Sequence, residues 1–194
     1  CVVYKCVVDQ DMDSFKSWMD TACNEHGHNS FTLVGQPTSS RTYKGPTMEE
    51  AASYSKGVAG CDFGCVCIAE RHTKNGREDA NMLRKTNFGA EWFITQGIFD
   101  AVPLVKLIND YGSLCKKKGV TPKKVILTFA PCGREKTMKF IKWLGMNVPK
   151  EVEEQILQAE NPVKESIKIL QGLLVQILER TSGCGVPLGL NVES

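Results

Sequence analysis

The chain has 194 residues, 42% of them hydrophobic and 24% charged, with a net charge of +2. That length suits one domain able to bury most of its apolar surface in a single core. So small a net charge provides no strong field for nucleic acid, no apolar run approaches the roughly 20 residues that span a bilayer, and the first residues show no charged n-region followed by an apolar h-region. The expectation is a protein with neither a nucleic-acid partner nor a membrane span, in the cytoplasm or the mitochondrial matrix.

Strand patterns begin near Val2, Phe31, Phe63, Glu91, Lys124 and Val186, and the first five recur about every 30 residues. One strand plus one crossover helix has that length, so the pattern predicts a parallel sheet. Helices are expected over Met12 to Glu25, Met48 to Gly57, Arg77 to Asn87 and Pro103 to Lys118. Three more follow in the longer last gap, over Glu135 to Leu144, Lys150 to Ala159 and Pro162 to Arg180. Asp11 and Asp13 mark the first helix start, and Asn161 before Pro162 reads as an N-cap followed by an N1 proline. Ile167, Leu170, Leu174, Ile177 and Leu178 form an apolar stripe on the last helix that should pack on the sheet.

The run from Gly89 to Asp100 is the most informative. It is almost continuously apolar before a polar tip, as expected of a strand covered by helices on both faces. Function in α/β folds collects beyond the carboxyl ends of such strands, which places Thr95, Gln96 and Asp100 at the working rim. Gln96 can both donate to and accept from a flat heterocycle. Its plainer role is a hydrogen bond at the strand end.

Nine cysteines cannot all pair within one chain, and an α/β domain of this size needs no disulfide staples, so reduced thiols are expected. Cys61, Cys65 and Cys67 have odd spacing, which puts all three on one face of a strand. Their spacing lacks the paired Cys-x-x-Cys of a zinc site, and burial in the core is the expected state. Cys132 stands at a strand end before a helix, where a thiol pKa can fall, but no histidine is tied to it by sequence context.

Several stretches together resemble the methylenetetrahydrofolate reductase family: Arg71-His72, Met82 to Lys85, Gly89-Ala90, Ile94-Thr95-Gln96 with its Phe99-Asp100 tip, Pro131, and Leu144 to Pro149. The resemblance implies a parallel (β/α)8 TIM-type barrel with six of its eight strands in this chain, residues 1–194 forming a single incomplete barrel domain. It also implies hydride transfer from NAD(P)H through FAD to a folate. A sixth strand leaves such a barrel open, and the first strand lies at the very start of a chain without an initial Met, so two βα units are expected upstream or from elsewhere. The structural alternative is a six-stranded doubly wound sheet, although no Gly-x-Gly-x-x-Gly follows the first strand.

By the same resemblance, Gln96 holds the pterin, while Gln36, His72, Glu78 and Lys85 line FAD. Glu78 and Lys85 are seven positions apart and so share one helix face. An ordinary charged helix face accounts for that spacing too, and a surface loop accounts for His72. Gln36 stands where the family has a carboxylate beside the flavin, and an amide cannot tune flavin electrostatics as a carboxylate does. A second reading is therefore an inactive barrel homologue acting as a structural or interaction subunit, as a homo-oligomer or in a larger assembly.

Overall fold

A computed structural model of the chain describes residues 1–36, 42–58 and 60–193. Its strands are β1 (Val3–Cys6), β2 (Ser30–Val34), β3 (Asp62–Cys67), β4 (Trp92–Gly97), β5 (Lys124–Phe129) and β6 (Leu188–Val192). They form one parallel sheet in the order β1-β2-β3-β4-β5-β6. Strand order follows chain order without reversal, which excludes the doubly wound alternative and gives the topology of a (β/α) barrel. The helices are α1 (Met12–Asp20), α2 (Met48–Gly57), α3 (Ala69–Asn75), α4 (Glu78–Phe88), α5 (Ala101–Lys118), α6 (Glu135–Trp143), α7 (Lys150–Leu157) and α8 (Pro162–Arg180). No helix among the described residues is long and apolar enough to cross a membrane.

The chain divides into two compact units, residues 1–66 with 82–94, and residues 67–81 with 95–194. In the first, β1 and β2 pair from Val3↔Phe31 to Cys6↔Val34, and β2 pairs with β3 from Ser30↔Asp62 to Leu33↔Cys65. Helix α1 starts where Asp11 accepts the Ser14 N–H at 2.8 Å, and it runs into a π-turn over Thr21–Glu25. Gly27, at φ 67°, then turns the chain toward β2 in a conformation that L side chains rarely adopt. Phe15 and Met19 face the core from α1, and Ala51, Ala52 and Ser55 do so from α2. A capping box fixes the start of α2: Glu50 accepts the Thr47 N–H at 2.8 Å, and Thr47 Oγ1 accepts the Glu50 N–H at 3.2 Å.

Inside this unit one packing feature depends on a missing side chain. Thr32 and Gly64 are ladder neighbours on β2 and β3, and the Trp92 indole occupies the space that a Cβ on Gly64 would need. The indole N–H reaches Thr32 Oγ1 at 3.4 Å. A bulky, half-buried ring thus fits here only because the strand beside it carries a glycine.

The second unit is built on α5, whose Leu104, Leu107, Ile108 and Tyr111 are essentially inaccessible to solvent. Strands β5 and β6 pair from Val125↔Leu188 to Phe129↔Val192. Asn161 caps α8 by accepting the Lys164 N–H at 3.1 Å, with Pro162 just inside the helix. The buried line of α8 runs through Ser166, Leu170 and Ile177. Ile167 and Leu178, expected in that stripe, are 41% and 48% exposed, so the packed face is narrower than the apolar pattern and turned from it.

Two expectations need correction. Cys61 lies before β3 and forms a disulfide with Cys23, so it is not a reduced core thiol; Cys65 and Cys67 are free and buried. His72, for which a surface loop is the plainer expectation, lies in α3 and is buried.

Candidate functional site

The second unit carries a polar notch at the C-terminal end of β4. Thr95 is locked into the fold, its Oγ1 accepting the Thr128 N–H at 2.9 Å across to β5. The next residue, Gln96, is half-buried, and its amide has no hydrogen-bond partner among the described residues. Asp100 caps α5, accepting the Val102 N–H at 2.9 Å. Glu70, Thr95, Gln96, Gly97, Asp100 and Leu104 line the notch. Its volume is about 10 Å³, room for about one water molecule. It is too small to swallow a ring and suited to receive a ring's polar edge.

The structure thus brings Gln96 together with Thr95 and Asp100, all three expected at the rim. It adds Glu70, which the sequence offers no reason to prefer over its neighbours. Glu70 follows β3 by three positions and sits in the first turn of α3. Only the termination of that strand at Cys67 and the immediate start of a helix place it at the rim.

His72 and Glu78, in the same unit, are taken up by the fold. His72 is 2% exposed, with Nε2 2.7 Å from Asp110 Oδ2 on α5. Its Nδ1 has no hydrogen-bond partner among the described residues, the Asp79 carboxylate standing 3.7 Å away. Burial raises the Asp110 pKa, but hydrogen bonds and charge from Lys106 and His72 outweigh it and hold the carboxyl below its usual value. Glu78 is 3% exposed and accepts the Ile68 N–H and the Asn81 side-chain amide, each at 3.2 Å.

Gln36 and Lys85 belong to the first unit. Gln36 is exposed, two residues beyond β2. Lys85 is half-buried and donates to the Val66 carbonyl at 2.7 Å. Beside it, burial pushes the Cys65 thiol up to about 11 despite the opposing Lys85 charge, so this thiol is not an activated nucleophile. Cys132, in the second unit, is 1% exposed, its N–H held by the buried Ser166 hydroxyl at 2.9 Å.

Comparison with known proteins places this geometry in context. No protein-family profile matches the chain, and no curated protein matches it in sequence. Among solved structures, it superposes with a TM-score of 0.85 and 27% identity on an uncharacterized protein from Clostridium thermocellum that binds two copies of 5-methyl-5,6,7,8-tetrahydrofolic acid. That match covers 100% of this chain and 65% of the other, so this chain spans a little under two thirds of its relative's length. A second structure, PhdJ bound to a substrate intermediate, gives a TM-score of 0.44 at 14% identity over 97% of this chain and 59% of that one. The architecture is that of a (β/α) barrel, six strands of which are in this chain.

Proposed function

We propose that the chain binds a reduced folate at the C-terminal rim of β4, with the Gln96 amide holding the pterin. The likeness along the whole chain to a protein that binds 5-methyltetrahydrofolate carries this reading. Gln96 supports it locally. A pterin edge alternates N–H donors with ring-nitrogen and carbonyl acceptors, and one carboxamide can serve both kinds. An unpaired, half-buried amide beside a notch has no evident role in the fold.

The finer reading, hydride passing from NAD(P)H through FAD to the folate, asks more of the chain. Of the residues it assigns to FAD, His72 and Glu78 are buried and committed to Asp110 and to the Ile68 amide, and Lys85 is committed to Val66. Gln36 alone of the four is exposed, and it brings no charge. The set does not fit the cofactor, so no hydride step is derived, and a folate-binding barrel without flavin chemistry is the reading favoured.

Calorimetric titration of the purified protein with 5-methyltetrahydrofolate, and separately with FAD, tests both. Saturable folate binding is expected, weakened about tenfold or more by Gln96→Ala through loss of one or two hydrogen bonds. A folded protein that takes up no folate would remove the proposal. Stoichiometric retention of FAD would restore the reductase reading in its place.

A further inference from the structure

We propose that Glu70 reads the exocyclic amino group of a 2-amino-4-oxo pyrimidine ring and thereby selects the ligand at the β4 rim. The inference rests on the folate reading and names the residue that would make it specific. Three observations carry it.

The notch holds about 10 Å³, room for about one water molecule and so for one group of similar size such as an amino group. A bicyclic ring would therefore lie across the mouth with a single small substituent inserted. Two acidic residues, Glu70 and Asp100, line the notch, but they are not equivalent. Asp100 already accepts the Val102 N–H as the α5 cap. Glu70 is half-buried, and its carboxylate has no hydrogen-bond or ion-pair partner among the described residues. On α4 Glu78 accepts from one backbone and one side-chain donor, so a carboxylate left idle is not the local rule.

A carboxylate accepts only, so its partner must donate. The 2-amino and N3–H groups of a pterin are two adjacent, parallel donors, and a carboxylate meets such a pair in a two-pronged fork. With that edge on Glu70, Gln96 is left to serve the rest of the ring through its amide. A ring lacking the 2-amino group would leave one prong empty and a half-buried charge short of a donor. Missing a donor that a site is built to receive is the strong kind of discrimination.

The test compares 5-methyltetrahydrofolate with its 2-desamino analogue, by calorimetry, on the wild-type protein and on Glu70→Gln. Wild type should favour the natural ligand by about tenfold to a hundredfold. Glu70→Gln should lose most of that preference by weakening the amino-bearing ligand more than the desamino one, with an unchanged melting temperature. Equal affinities of wild type for the two ligands would overturn the proposal without any variant. A Glu70→Gln protein that binds both as wild type does, or loses both equally, would overturn it while leaving the folate reading intact. A wild-type protein binding neither ligand would overturn both.

Discussion

Replacing Gly64 by alanine should be among the most damaging single-methyl additions in the first unit. A Cβ built there meets Nε1, Cδ1 and Cε2 of Trp92, the body of the ring rather than a flexible tip. The indole has no small adjustment available, because its N–H is aimed at Thr32 Oγ1 and Thr32 is fully buried. Either the strands separate or the ring turns. Overpacking of this kind costs about 1–3 kcal/mol, and losing the indole bond adds about 0.5–1.5 kcal/mol, giving a destabilisation of about 2–4 kcal/mol. In a domain of this size that lowers the melting temperature by about 5–12 °C. Urea unfolding of wild type, Gly64→Ala, Trp92→Leu and the double variant would measure it. A leucine in place of Trp92 should leave room for the added methyl, so the double variant should be more stable than the sum of the two single losses implies. A Gly64→Ala protein within about 0.5 kcal/mol of wild type, or strictly additive losses, would refute the packing argument.

Three further outcomes are expected. Closing the 38-residue separation between Cys23 and Cys61 should stabilise the oxidised protein by about 4 kcal/mol on the loop-entropy estimate, so a phosphine reductant should lower the melting temperature, and Cys23→Ser should reproduce that loss. Thiol titration of the denatured, unreduced chain should find the seven free cysteines, and nine would contradict the pairing. Because the Asp110 carboxyl is held below its ordinary value, its contribution is present above about pH 4 and disappears as pH falls through the lower native value. The stability gap between wild type and Asp110→Asn should therefore shrink on acidification from about pH 6 to about pH 3, and a constant gap would count against the His72–Asp110–Lys106 linkage. Lys85→Ala should cost about 1–2 kcal/mol by removing the donor to Val66; unchanged stability together with lost FAD retention would instead assign Lys85 to a cofactor.

Most elements were readable because burial imposes a pattern that the chain cannot hide. The β4 run lost its alternation, as a strand covered on both faces must, and the helix starts at Asp11 and Asn161 carry side chains that do cap backbone N–H groups. Helix α3 escaped because its seven residues bring no side-chain N-cap, and the helix is held by a partner far along the chain, Asp110. No local pattern encodes that contact. The Cys23–Cys61 pair was hidden for the same reason, and the parity of nine cysteines argued only against complete pairing. On α8, apolar residues cover more of the circumference than the described structure buries, so periodicity gave the helix without its facing.

The candidate site divides along the same line. Gln96 was legible because strand direction alone puts the last polar residue of a buried strand at the rim. Glu78 and Lys85 were legible as neighbours on one helix face, but spacing cannot say what a face touches. In the structure Glu78 takes the backbone N–H of Ile68 and Lys85 the carbonyl of Val66, so charges at a cofactor-like spacing fasten the end of β3. Glu70 shows the converse. Nothing in its neighbourhood singles it out, yet it is the acid at the notch without a partner among the described residues. A buried charge with every lone pair occupied has already spent its interactions on folding, whereas one that borders a cavity unpaired keeps them for a ligand. By that criterion Glu70 and Gln96 are the side chains left for the proposed ligand, whereas Glu78 and Lys85 on α4 are engaged within the fold.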